Sequence, residues 1–432
     1  MSVPNFAGDI VDIAVGNPAH PIGFGFLRPL ESGCYQLRAE LRPSDWAGLK
    51  IISGLCRDRQ FLMYGGRISG GYGMQLAVNA RDLFVARNYF DTESSASSLE
   101  ILDGIRGIML QFKPSDVAPT FGLRSGLPLA VGGDFAVGID YAKLDEPISY
   151  EGSMAAVTLH RLSRHFEDAM REVVADSHAE RVVVEFHFSK IVDVEQARIA
   201  VKALRILLLY MEGSAEPESV DVVLENEYFM WRGAEFSSVA PGFDRPNFRL
   251  GNGDLLALIR LMHDFIFRLV EIPHVVEVLG EIVFGQVPHR YQVTLLGTAW
   301  EHVVESSSSA NGSLKVRDAV AATLAAVTQG DAEVGKLIDL SWNTYNKLKH
   351  RNLRSVSNMP TRMVVDDRNI DDMELLASFM THVVVVMILH EIGFAAGASI
   401  LAGDLVDVTT SAGTIQSKYG VLLRNHSSTD TA

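Results

Sequence analysis

DAEVGKLIDLSWNTYNKLKHRNLR, residues 331–354, is the stretch that decides how the second half of the chain folds. Val334, Leu337, Ile338, Ser341, Tyr345 and Leu348 recur at three- and four-residue intervals, which puts them on one face of an α-helix. Asn343, Asn346, Lys347, His350, Arg351 and Arg354 fall at i, i+3, i+4, i+7, i+8 and i+11, so the opposite face is polar and cationic and carries a histidine. Basic residues at the end of a helix ordinarily complement the macrodipole and bond the last carbonyls. The same set also suits an RNA phosphate, because imidazole exchanges protons near neutral pH while flanking Lys and Arg hold phosphate oxygens.

Working outward, residues 254–271, 289–305, 314–328 and 371–393 carry the same helical period, separated by polar breaks such as SSSSANG at 306–312. They predict an all-α bundle over residues 250–405, with 406–432 as a C-terminal tail that frays. Upstream the period changes. Runs such as FGFLRPL, CYQLRAEL, RQFLMYGGRI and GIMLQFKP alternate apolar and polar residues between glycine-rich turns, the mark of antiparallel β structure. The glycine-rich piece from Gly65 to Gly73 reads as a hairpin turn, since no Lys-Ser/Thr and no helical pattern follow it. From Ser153, Val157, Leu159, Leu162, Phe166, Met170 and Val173 predict a helix. RVVVEFHFSKIV at 181–192 predicts a strand, residues 197–210 a helix and VDVVLENEYFMW at 220–231 a strand. With a Pro-, Gly- and Ser-rich boundary at 236–253, the reading is α+β: a β-rich N-terminal domain over 1–245, then the bundle.

The 432 residues carry 38 Lys plus Arg against 53 Asp plus Glu, so a net charge of −15 repels polyanions on average and confines any nucleic-acid site to a local basic patch. Cys34 and Cys56 fall on neighbouring candidate strands and read as thiols in a reducing compartment. The N-terminus has no basic segment followed by an unbroken apolar run, which points to the cytoplasm. Ser378, Thr381, His382, His390 and Glu391 interrupt the apolar stretch 375–402, so it reads as a buried bundle helix with core histidines, neither a membrane span nor a metal site. No metal or other cofactor is expected. GxSxG, a Walker loop and a GxGxxG opening a helix do not occur.

YNKLKH at 345–350, placed late in a bundle and followed by a polar loop and an apolar helix ending HEIGF, resembles the signature region of HEPN domains, in particular the ApeA-like HEPN proteins of bacterial anti-phage defence. The resemblance is sharp over residues 337–394 and architectural elsewhere, with FLRPLESGCYQLRAEL and IISGLCRDRQFLMYGG weakly similar to the β-rich module of those proteins. It implies a metal-independent endoribonuclease of abortive-infection type, assembled as a homodimer through the bundle and controlled by an N-terminal domain that senses a phage or cellular trigger. RNA, tRNA included, is the implied partner. Asn346 and His350 fall on the family's Asn and His, and Tyr345 stands where its Arg would be. His350, Asn346 and Tyr345 are thus the candidate catalytic residues, and Lys347, Lys349, Arg351 and Arg354 the candidate phosphate-binding ones. The Tyr345 departure keeps open an alternative, a degenerate HEPN-like protein that binds RNA or a partner protein or mediates assembly. His263, Glu301 and His302 are candidates for orienting His350. Arg171 and His178 repeat the Arg-to-His spacing outside the bundle. Apolar residues 383–389 offer a surface for the dimer.

Overall fold

A computed structural model describes residues 9–14, 21–30, 34–40, 51–56, 59–72, 75–87, 98–113, 117, 120–121, 124–131, 134–139, 144, 146–162, 181–211, 216–225, 227–233, 254–285, 287–307, 315–328, 332–350, 364–394, 408–409, 415–416 and 419–427. It divides into two compact units: Met1–Arg198 with Glu216–Ser238 and Leu255–His263, and Ile199–Ala215 with Val239–Asp254 and Asp264–Ala432. The architecture is α+β, β-rich in the N-terminal part and helical in the C-terminal half.

The first unit is built on one antiparallel sheet. Its strands are β1 (Asp9–Ala14), β2 (Pro21–Pro29), β3 (Tyr35–Glu40), β4 (Ile51–Cys56), β5 (Arg59–Tyr64), β6 (Arg67–Tyr72), β7 (Gln75–Ala80) and β8 (Asp82–Ala86), then, after α1 (Ser98–Asp103), β9 (Ile105–Phe112), β12 (Ile148–Glu151), β13 (Ala155–Leu162), β14 (Arg181–Val192), β15 (Ser219–Val223) and β16 (Tyr228–Gly233). The order across it is β12-β13-β14-β9-β15-β16-β8-β5-β4-β1-β2-β3-β7-β6, and β10 (Arg124–Val131) and β11 (Asp134–Ile139) pair apart from it. Strand periodicity sends Leu27, Leu37 and Val78, register neighbours on β2, β3 and β7, into one core with Phe61, Met63 and Val85. Buried charges are paired: Arg87 donates to Asp221 from Nε at 3.0 Å and from Nη2 to both carboxylate oxygens at 2.7 and 2.8 Å, and Asp82 is bound by Arg198 and by the Trp231 indole.

Several expectations change here. The helix expected from Ser153 is instead strand β13, because Ala155, Val157 and Leu159 alternate with less buried residues at period two; Phe166, Met170 and Val173, like Arg171 and His178, lie outside the described residues. The Gly65–Gly73 run is not a turn throughout. Gly65 takes a φ of 68°, which only glycine adopts cheaply, and Arg67–Tyr72 is an edge strand paired to β7 with a bulge between Ile68 and Gly70. Cys34 and Cys56 are free thiols, and β1 and β2 stand between β3 and β4, so the two cysteines do not lie on neighbouring strands.

The second unit contains most of α2 (Val194–Tyr210) and the C-terminal part of α3 (Leu255–Glu271) from Asp264, then α4 (Pro273–Phe284), α5 (His289–Ser307), α6 (Val316–Thr328), α7 (Ala332–Lys349), α8 (Ile370–Glu391) and α9 (Gly420–Ser427). Helix α4 escaped the sequence reading. Pro273 at its first turn separates it from α3, where a missing N–H does no harm. Helix α5 lies against α4, α6, α7 and α8, with the Trp300 indole donating to the Met380 carbonyl at 3.2 Å. Arg268 forks onto both Glu391 oxygens at 2.8 and 2.9 Å. Helix α8 is long and apolar enough to cross a membrane, yet most of it is buried inside the chain. Residues 383–389 are among those buried, so they offer no free surface for a dimer. His390 and Glu391 are exposed, so of the expected core set only Ser378, Thr381 and His382 turn inward. The expected fraying tail holds a helix: Asn425 and His426 of α9 bond the Asp372 carboxylate at 3.1 Å.

Candidate functional site

Helix α7 forms where its sequence period predicts, with Glu333 in the first turn and Lys347 and Lys349 in the last, each complementing the helix dipole. Its inward stripe is Val334, Leu337, Ile338, Leu340, Ser341, Thr344 and Tyr345. Ser341 and Thr344 are satisfied within the helix. Ser341 Oγ donates to the Leu337 carbonyl at 2.7 Å and Thr344 Oγ1 to the Leu340 carbonyl at 2.8 Å. Thr344 Oγ1 also accepts from the Val365 N–H at 3.0 Å, tying the segment before α8 to α7.

Tyr345 is fully buried, with its ring laid on the backbone of α5 at Gly297. A Cβ at position 297 would stand 2.2 Å from the ring, so glycine is what admits the tyrosine. The phenol hydroxyl lies among Thr298, Glu301 and Lys349 without reaching hydrogen-bond geometry with any of them. Burial raises its pKa, with Lys349 and Thr298 opposing the rise, so the group stays neutral.

Lys349 stands one helical turn after Tyr345, its ammonium 5.0 Å from the ring centre. That charge is already engaged. Nζ donates to the two Glu301 carboxylate oxygens at 2.8 and 3.1 Å, and this partner, more than any other, raises the lysine pKa. The cation over the Tyr345 ring is therefore neutralised from α5. Asn346 is engaged as well, since its amide donates to the Trp342 carbonyl at 2.9 Å and does not reach for His350. The His350 N–H closes the last turn on the Asn346 carbonyl at 3.0 Å. The imidazole of His350 and the ammonium of Lys347 are half-buried, and neither has a hydrogen bond or ion pair among the described residues. Arg351 and Arg354 lie outside the described residues.

The structure thus brings Tyr345 and Lys349 together and leaves His350 and Lys347 apart from them. Gly297 and Thr298 were missed in the sequence, although a glycine inside the apolar stripe of α5 is a signal of close backbone approach. Glu301 was singled out for His350 and turns out to hold Lys349. His302 is exposed and packs edge-on against His274, with ring centres 4.6 Å apart. His263 falls in the first unit, where it packs edge-on against Tyr150 at 5.3 Å.

A second polar cluster lies deeper in the helical unit. His382 Nδ1 is 2.7 Å from the Tyr419 hydroxyl, which is 3.1 Å from Ser378 Oγ. Burial alone pushes the His382 pKa down to about 3, so the ring is neutral near pH 7. Among the described residues, no three His, Cys, Asp or Glu side chains are placed to hold a metal. No family model, curated protein or solved structure matches the chain.

Proposed function

We propose that the helical unit is a HEPN-like module that binds RNA at the C-terminal end of α7 without cleaving it, within a cytoplasmic protein of bacterial anti-phage defence. The observation that carries this reading is the state of Tyr345. It fills the position expected of an arginine, and it does so as a neutral, fully buried ring packed on Gly297. The cation seated over its ring, Lys349, is held by Glu301. A general acid or base gains most from a preorganised charge aimed at the reacting phosphate, and here Tyr345 is committed to packing and Lys349 to pairing. Among the described residues, His350 and Lys347 are the candidates whose polar groups stay open to meet a phosphate. The HEPN assignment, the defence role, the homodimer and a trigger at the N-terminal unit rest on the sequence resemblance.

The second reading is the ribonuclease itself, favoured by the same free imidazole. In that case His350 removes the proton from a ribose 2′-hydroxyl, the oxygen attacks the adjacent phosphorus, and the imidazolium returns the proton to the departing 5′-oxygen, giving a 2′,3′-cyclic phosphate and a 5′-hydroxyl. Incubation of purified protein with total RNA and with tRNA, with and without chelator, separates the two. Retention of RNA with unchanged length supports binding. Chelator-resistant fragments that disappear in His350→Ala support cleavage.

A further inference from the structure

Alternation along β2 turns Leu27 into the core and leaves Phe24, Phe26 and Arg28 on the opposite face of the sheet, where each phenylalanine is 50% exposed. Register carries that face across three more strands: Phe26 stands opposite Arg38, and Arg28 opposite Gln36, then Asn79, then Arg67. Two guanidiniums converge on one neutral oxygen. Arg28 donates to Gln36 Oε1 from Nε at 3.0 Å and from Nη2 at 2.6 Å, and Arg38 donates to the same atom from Nε at 3.1 Å. The Gln36 amide is itself held by Asn79 Oδ1 at 2.9 Å. Like charges are thereby kept side by side, and no carboxylate pairs with either arginine, or with Arg67, among the described residues. The acidic register neighbours of this face, Asp12 and Glu40, both stand opposite Phe24, at the end away from Arg28 and Arg67.

In a chain of net charge −15, clustered arginines without counter-ions beside two half-open aromatic rings call for an anion that also carries flat apolar faces. We propose that this sheet face binds single-stranded RNA, with bases stacking on Phe24 and Phe26 and phosphates held at Arg28, Arg38 and Arg67. Alternate residues of a strand are about 6.7 Å apart, which seats two neighbouring unstacked bases on the two rings. The arginine forks, fixed by Gln36, keep further N–H donors for phosphate oxygens. A duplex hides its base faces and does not use the phenylalanines. The proposal does not rest on the α7 reading, which concerns a different unit.

The test is fluorescence anisotropy of the full chain with a labelled short oligouridylate across a salt series, with circular dichroism to confirm folding. The surface variant Phe24→Ala/Phe26→Ala should weaken binding about tenfold or more, and Phe24→Tyr/Phe26→Tyr should retain it. Arg28→Ala/Arg38→Ala should reduce the slope of log affinity against log salt by about 1.4, the share of two phosphate contacts on a single strand. Wild-type affinity in either alanine variant, or equal binding of a duplex or of polyglutamate, overturns the proposal. Loss confined to Lys347→Ala/His350→Ala would overturn it while leaving the α7 reading standing.

Discussion

The ammonium of Lys349 lies 5.0 Å from the centre of the Tyr345 ring and 2.8 Å from a carboxylate oxygen of Glu301, so one lysine caps a buried aromatic and is neutralised in the same place. The arrangement ties α7 to α5 through packing below and an ion pair above. It also removes a cation from the end of α7, where a phosphate would need it.

Glu301→Gln should therefore strengthen RNA binding by the helical unit, because it releases the Lys349 charge while keeping the side-chain volume. The pair is part-exposed, at 40% and 25% for the two side chains, so its loss should change stability by no more than about 1 kcal/mol. Filter binding with tRNA beside a thermal melt reads both effects. Weaker binding in Glu301→Gln would contradict the account.

Gly297→Ala should destabilise the chain. Its new Cβ would stand 2.2 Å from the fully buried Tyr345 ring, so overpacking of about 1–3 kcal/mol is expected. Tyr345→Leu should partly rescue it by narrowing the side chain. Denaturant midpoints of the two single variants and the double variant measure the coupling.

In the sheet unit, Asp82→Ala should cost about 3–5 kcal/mol, since it leaves the buried Arg198 guanidinium without the carboxylate on its inner side and the Trp231 indole without its acceptor. Asp82→Leu/Arg198→Met removes both charges and should recover most of the loss. Chemical denaturation distinguishes a lost charge partner from lost volume.

His382 predicts a pH dependence. Its folded pKa is about 3 against an ordinary 6.5, so between these values the unfolded chain binds a proton that the folded chain does not. This group's contribution is fully present above pH 6.5 and falls by about 1.4 kcal/mol per pH unit on acidification towards 3. His382→Asn keeps an acceptor near Tyr419 and cannot be protonated in this range, so its stability should fall less steeply below pH 6.5. Parallel slopes for the variant and the wild type would contradict the assignment.

Much of the architecture was legible because two periods are hard to confuse over long segments. The stripe from Val334 to Leu348 specified α7, and RVVVEFHFSKIV specified β14. The misreading from Ser153 has a physical source: Leu159 and Leu162, three apart, suit a helix, whereas Ala155, Val157 and Leu159, two apart, suit a strand, and β12 and β14 supply the ladder on either side. Helix α4 was hidden because its apolar residues are not confined to one stripe. At the site, the sequence placed Tyr345, Asn346, Lys349 and His350 on one helix, but which charge is spent on which partner depends on α5, and no local pattern carries that information. The Phe24 and Arg28 face was equally hidden, since the residues that pin it come from β3, β6 and β7.

The central claim, that the end of α7 binds RNA and does not cut it, is tested most directly by mapping RNA ends in phage-challenged cells expressing the wild type or His350→Ala. Any trigger that phage challenge supplies is present in that setting, so silence is informative. The account predicts no 2′,3′-cyclic phosphate ends specific to the wild type. New cyclic-phosphate ends that appear with the wild type and vanish in His350→Ala would contradict it and establish the nuclease.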